Sequence, residues 1–216
     1  MDYLTIALPK GKLFAKSVEL LAKVGYAADN VVEDSRKLVI TNEETKVKFI
    51  IVKTVDLPTY VEYGAADIGI IGKDVLNEER KDIYELLDMG YGGWPSDDGG
   101  AGIQGTAGNH RLRPYAVATK YPKCAADFFD KLGMQMEIIK LNGSIELGPI
   151  VGLSEMIVDI VQTGRTLREN HLKEVASVFP STARLIANKV SFKMQYDRIR
   201  KLVEDLKVVL KEEKPE

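Results

Sequence analysis

A chain of 216 residues can hold one large α/β domain or two smaller lobes. Its 30 Lys and Arg against 32 Asp and Glu give a formal charge of −2, which argues against a nucleic-acid-wrapping protein but leaves room for a local basic pocket. Apolar residues at 45% and charged residues at 29% describe a soluble globular protein; no apolar run nears the ~20 residues of a membrane span, and Met1-Asp2-Tyr3-Leu4 opens no secretory signal.

Tyr3 to Leu8 reads as a strand that stops at Pro9-Lys10-Gly11. A helix follows over Leu13 to Val24, with Leu13, Ser17, Leu20, Leu21 and Val24 on one face and Gly25 as its stop. Arg36 to Thr41 and Val47 to Lys53 read as strands, Thr54 to Tyr63 as a helix ending at Gly64. Asp67 to Ile71 is a short apolar strand, and Gly72-Lys73-Asp74 opens another helix. This alternation predicts a mostly parallel sheet covered on both faces.

The pattern breaks after Asp88. Eight of the 18 glycines fall between Gly90 and Gly108, around Trp94-Pro95-Ser96-Asp97-Asp98. Nothing there alternates, so a long loop is expected. Order resumes with a strand at Tyr115 to Thr119, a helix over Pro122 to Leu132 and a strand at Gln135 to Leu141. A helix from about Gly148 and a strand at Ile157 to Val161 lead to Thr163-Gly164-Arg165-Thr166. Val175 to Ser177 and Ala183 to Asn188 read as strands. Asp197 to Leu210 is an amphipathic helix with Ile199, Leu202, Val203, Leu206 and Val209 or Leu210 inward. Two lobes are therefore expected, residues 1–89 with 179–216 and residues 90–178.

Cys124 is the one cysteine and His110 and His171 the two histidines. That set excludes an internal disulfide, fits a reducing cytoplasm and disfavours a zinc site or a thiol- or histidine-centred mechanism.

The richest segment runs from Glu155 to Leu167. An apolar strand carrying Asp159 ends in Thr163-Gly164-Arg165-Thr166, which starts a helix. Such a turn aims backbone N–H groups and two hydroxyls at one point, where the helix dipole favours a phosphate. Acids upstream suit vicinal hydroxyls, so phosphate plus ribose is the indicated ligand. Thr163 as helix cap and Gly164 as turn residue serve equally well without one. An acid such as Asp159 inside an apolar strand is costly unless paired or facing a site.

Pro9-Lys10-Gly11-Lys12 is a second strand-to-helix turn, with lysines flanking a glycine; it lacks the P-loop spacing, and a solvated charge pair is its plain alternative. Asp34-Ser35-Arg36-Lys37 brings two cations into a strand. Lys73 sits at a helix start, where a cation is unfavourable unless an anion lies nearby. Glu146, after Leu141-Asn142-Gly143-Ser144-Ile145, is either ligand-facing or an exposed helix-start acid.

These segments, in this order, resemble the short form of the ATP phosphoribosyltransferase family, which opens histidine biosynthesis. The likeness rests on Leu8 to Leu13, Asp34 to Leu38, Tyr60 to Asp67, Gly72 to Val75, Ala118 to Pro122, Ile139 to Leu147, Ile157 to Leu167 and Ala183 to Ile186. It covers Leu4 to about Met194 except Gly90 to Leu112, where the family has an apolar strand beginning the second lobe. Lys12 stands where the family often has Arg, and Gly148 where Ala is usual.

The resemblance implies an α/β, two-lobed type II periplasmic-binding-protein-like fold with the active site in the interlobe cleft. It implies a phosphoribosyl-pyrophosphate loop in which Thr163, Gly164, Arg165 and Thr166 hold the 5′-phosphate while Glu155 and Asp159 face the ribose. Lys10, Gly11, Lys12, Arg36, Lys37, Lys73 and Glu146 would serve ATP and pyrophosphate, with Arg36, Lys12 and Lys10 catalytic. Adenine N1 has a free lone pair, so attack on C1′ needs no general base. What is needed is alignment of two polyanions and neutralisation of the leaving pyrophosphate, a task that suits the permanent, forked charge of Arg36. Mg2+ is expected through pyrophosphate oxygens rather than protein ligands. The implied partner is a histidyl-tRNA-synthetase-like regulatory subunit in a cytoplasmic hetero-octamer, with no nucleic acid or membrane involved. The alternative is an impaired or non-catalytic relative that acts as a ligand-binding or assembly subunit.

Overall fold

The computed structural model describes residues 3–26, 31–33, 37–93, 100–105, 115–160 and 172–213. The chain begins with β1 (Leu4–Pro9), α1 (Lys12–Lys23), β2 (Val39–Asn42), β3 (Val47–Val52), α2 (Leu57–Glu62), β4 (Ile68–Gly72), α3 (Lys73–Glu79) and β5 (Tyr84–Asp88). It continues with β6 (Gly100–Gly105), β7 (Ala116–Thr119), α4 (Pro122–Lys131), β8 (Glu137–Lys140), α5 (Leu147–Ile150), β9 (Met156–Ile160) and β10 (Lys173–Pro180). Then come β11 (Ala183–Ala187), α6 (Lys189–Met194) and α7 (Tyr196–Glu212). Two compact units result, Met1–Gly92 with Thr182–Glu216 and Gly93–Ser181, against the expected breaks at 89/90 and 178/179.

The first unit holds a six-stranded sheet in the order β2-β3-β1-β4-β11-β5. β3 and β4 flank β1 and run parallel to it, while β2 and β11 run antiparallel to their neighbours. Alternation along β1 sends Leu4, Ile6 and Leu8 to one face, where Phe14, Leu20 and Leu21 of α1 meet Ile199, Leu202, Val203 and Leu206 of α7. Ala7 joins the other face, with Leu57 and Val61 of α2 and Val75 of α3. β4 is buried throughout, as a central strand covered on both sides must be. It carries glycine at position 69 because α2 lies against it: a Cβ there would sit 2.7 Å from Leu57 Cδ2 and 3.1 Å from Val61 Cγ2.

The expected stop of α1 is a left-handed glycine cap. Gly25 has φ +78°, its N–H donates to Ala22 O at 2.9 Å, and the Tyr26 N–H donates to Leu21 O at 2.8 Å. Asn188 fastens two helices at once. Its Oδ1 accepts the Val190 and Ser191 N–H groups at the start of α6, and its Nδ2 donates to Val61 O and Glu62 O at the end of α2.

The second unit holds a five-stranded sheet in the order β10-β6-β9-β7-β8. β8 and β9 run parallel to β7, whereas β6 runs antiparallel to both β9 and β10. Val117, Ala125, Phe129 and Val158 fill one face, and Ala118, Ile145, Ile157 and Leu172 the other. The expected long loop is corrected here: residues 100–105 form β6, a strand with a neighbour on each side. Gly-Ala-Gly-Ile-Gln-Gly has no apolar alternation, but ladder pairing is a backbone property that needs none. β5 and α6 likewise have no counterpart among the expected elements.

Among the described residues no helix is long and apolar enough to cross a membrane. Cys124 is buried and in no disulfide. His110 and His171 lie outside the described residues.

Candidate functional site

Parallel pairing collects strand ends. In the first unit β1, β3 and β4 finish at one edge of the sheet, so Lys10-Gly11-Lys12, Lys53-Thr54 and Lys73 all follow strands there. β2 is antiparallel to β3, and Lys37, just before β2, enters at that same edge. Helix α1 leaves β1 on one face and α3 leaves β4 on the other. In open α/β sheets, ligands bind outside the carboxyl ends of strands whose helices leave on opposite faces, and the ends of β1 and β4 have that arrangement.

Gly11 is the first turn of this edge. Its φ of +95° is a backbone state that side chains rarely adopt, and it lets the chain swing from β1 into α1. The Gly11 N–H donates to Glu33 Oε1 at 2.6 Å, so a carboxylate already rests on this helix start. Lys12 opens α1, and desolvation lowers its ammonium below the ordinary lysine range. Lys10 continues the β1 ladder with its N–H on Val52 O at 3.0 Å, and its carbonyl accepts the Thr54 hydroxyl at 3.1 Å.

Lys73 has a different setting. Its Nζ lies 2.6 Å from Glu85 Oε2, and Arg184 spans the other Glu85 oxygen at 3.1 Å and Asp88 at 2.9 Å. Asp88 Oδ1 accepts the Thr182 hydroxyl at 2.7 Å and the Gly90 N–H at 2.9 Å. The Lys73 charge is thus offset inside the unit, which removes the expected need for a bound anion.

In the second unit β7, β8 and β9 also end at one edge. The buried Thr119 closes it: its hydroxyl donates to Val158 O at 2.6 Å and accepts the Tyr121 N–H at 2.9 Å. Asp159 is the last residue but one of β9, opposite Gly102, with Oδ1 accepting the Ile160 N–H at 2.9 Å. Glu155 lies before β9, at the other end of that strand. Its Oε2 accepts the Ala116 N–H at 2.7 Å while its own N–H donates to Ala116 O at 3.0 Å. Glu146 is half-buried ahead of α5 and makes no side-chain capping bond. Arg36, Thr163, Gly164, Arg165 and Thr166 lie outside the described residues.

Lys10, Gly11, Lys12 and Lys37 therefore share one edge of the first unit, and Asp159 approaches the corresponding edge of the second. Glu33 and Lys53 escaped the sequence reasoning. Only the parallel register of β1 and β3 reveals Lys53 as the neighbour of Lys10.

The family model for ATP phosphoribosyltransferase matches residues 53–208. The ATP phosphoribosyltransferase of Desulfitobacterium hafniense (strain Y51) is 50% identical over 222 residues, covering 97% of each chain. That of Lachnoclostridium phytofermentans is 50% identical over 218 residues, covering 98% of this chain and 99% of the other. Among solved structures, an ATP phosphoribosyl transferase (HisG:HisZ) complex from Thermotoga maritima matches with a TM-score of 0.79 and 30% identity, over 98% of this chain and 100% of that one.

Proposed function

The chain belongs to the ATP phosphoribosyltransferase family and catalyses the first step of histidine biosynthesis, and from that premise we propose how its residues divide the work. The bond that forms joins adenine N1 of ATP to C1′ of 5-phosphoribosyl 1-pyrophosphate; the bond that breaks joins C1′ to the pyrophosphate oxygen. N1 brings its own lone pair and pyrophosphate leaves as an anion. The protein is left with alignment and charge stabilisation.

Lys10, Gly11, Lys12 and Lys37 receive the polyphosphate of ATP and the leaving pyrophosphate, and Arg36 stabilises the charge that develops there. The observation that carries this reading is the common edge of β1, β2 and β3, along which the turn before α1, the end of β3 and Lys37 ahead of β2 all lie. Thr163, Gly164, Arg165 and Thr166, following β9, hold the 5′-phosphate, and Asp159 faces the ribose hydroxyls. Glu155, engaged with Ala116 at the far end of β9, is assigned to closing that strand pair. Lys73 is assigned to holding Glu85, and Glu146 remains a candidate for the adenine side. The two edges would face each other across a cleft of the periplasmic-binding-protein type.

Mg2+ would be carried by the oxygens of the two polyphosphates, where it offsets negative charge as pyrophosphate departs. Phosphate oxygens are the hard donors that Mg2+ prefers, so the substrates themselves would supply most of its ligands. A regulatory subunit resembling histidyl-tRNA synthetase, in a cytoplasmic hetero-octamer, is the proposed partner, a reading supported by the Thermotoga maritima relative, which is a HisG:HisZ complex. β6 pairs with β9 and β10 in the stretch where the family has a strand, which supports the catalytic reading over an impaired subunit.

The test is turnover of ATP and phosphoribosyl pyrophosphate, with and without the regulatory subunit, by wild type and Arg36→Ala. Loss of a preorganised charge donor should lower kcat by roughly 100- to 1,000-fold and leave ATP affinity within about threefold. Equal losses in turnover and affinity would refute the role given to Arg36.

A further inference from the structure

Most lysines of the first unit have a partner in the fold, the exposed Lys193 of α6 being one exception outside this edge. Lys16, Lys23, Lys46, Lys73, Lys81, Lys189, Lys201 and Lys207 each lie against a carboxylate, and Lys48 lies 4.3 Å above the Tyr3 ring. Lys10 and Lys53 are exposed and have no side-chain partner among the described residues. They are also neighbours. The β1–β3 register ends at Pro9 opposite Val52, so Lys10 and Lys53 follow side by side, about 5 Å apart in backbone terms.

Their positions are locked rather than incidental. The Lys10 N–H donates to Val52 O, the Thr54 hydroxyl donates to Lys10 O, and the Lys53 carbonyl accepts the Asp56 N–H at 3.0 Å. Two like charges held abreast on paired strands repel one another. They also stand beside the positive end of α1. The carboxylate at this turn, Glu33, has one oxygen on the Gly11 N–H and marks where an anionic oxygen is accepted. An anion shared between the two ammonium groups would turn this repulsion into attraction.

We propose that Lys53 is a further substrate-binding residue of this enzyme, gripping together with Lys10 one phosphate group of a polyphosphate. The ligand chemistry is a diphosphate or triphosphate, supplied either by ATP or by the pyrophosphate of the donor sugar. The inference rests on the assignment of the Lys10–Lys12 turn to an anionic substrate and extends that site onto β3.

Lys53→Gln, Lys53→Arg, Lys10→Gln and Lys48→Gln should be compared for turnover in the complex with the regulatory subunit, and for binding of inorganic pyrophosphate by the full chain. Lys53→Gln should raise one substrate KM about tenfold with kcat nearly unchanged, because a charge-assisted hydrogen bond is lost from binding. A rise in the KM for ATP identifies the triphosphate; a rise for phosphoribosyl pyrophosphate, with weaker pyrophosphate binding, identifies the leaving group. Lys53→Arg should recover to within about threefold, since the charge is kept. Lys48→Gln, on the same strand but away from this edge, should match wild type. Both KM values within twofold of wild type in Lys53→Gln would overturn the proposal, as would equal damage from Gln and Arg. If Lys10→Gln is impaired and Lys53→Gln is not, Lys53 alone falls; if neither is impaired, the assignment of the turn itself fails.

Discussion

Two regions of the first unit use lysine and arginine in opposite ways. Around Lys73, every charge closes on another: Glu85 takes Lys73 and Arg184, and Asp88 takes Arg184, Thr182 and Gly90. At the ends of β1 and β3, Lys10 and Lys53 stand abreast, and among the described residues neither side chain has a carboxylate partner. A polar group satisfied within the fold serves the fold. A cation held beside another cation and a helix start is, on the reading proposed above, kept for an anion from outside the chain. Substitutions in the closed set should therefore register in stability, and those in the open set in substrate affinity.

The largest stability effect belongs to Asn188, which is nearly buried and satisfies two N–H and two C=O groups. Asn188→Ala should cost about 2 kcal/mol in denaturant unfolding, by loss of the cap and exposure of the two carbonyls to an empty site. A loss of substrate affinity without destabilisation would break the comparison. Glu85→Gln comes next. Its charge links two cations, but its side chain is a third exposed, so the expected loss is below about 1 kcal/mol, and both KM values should hold.

The smallest effect is conditional on pH. The Tyr91 hydroxyl meets Ser17 Oγ at 2.6 Å, and burial pushes its pKa up to about 12. The unfolded chain releases this proton near pH 10, so between there and 12 the native state holds the proton more firmly. Stability should thus be full below pH 10 and decline as pH rises through that window. Tyr91→Phe should flatten this part of the profile, measured as thermal midpoint against pH. An unchanged slope would mean that Tyr91 is not the group responsible.

How far the sequence could be read depended on which physical interaction carried each element. Helices α1 and α7 announce themselves through the spacing of Leu20, Leu21, Ile199, Leu202 and Leu206, because side-chain burial holds them. β6 does not, because Gly100 to Gly105 is held by backbone pairing to β9 and β10. The same distinction runs through the site. Lys10 and Lys12 are visible beside Gly11 as a turn, whereas Lys53 becomes their neighbour only through the parallel register of β3. Lys73 looked like an anion ligand in one dimension and found Glu85 in three. The family itself was legible from the order of many short motifs, which composition and charge cannot convey.

The most direct test of the open edge is a calorimetric titration of inorganic pyrophosphate into wild type and Lys10→Gln, paired with the thermal midpoint of each. A phosphate-holding Lys10 predicts binding weakened about tenfold at an unchanged midpoint. A lowered midpoint with pyrophosphate affinity intact would contradict it and return Lys10 to the closed, structural set.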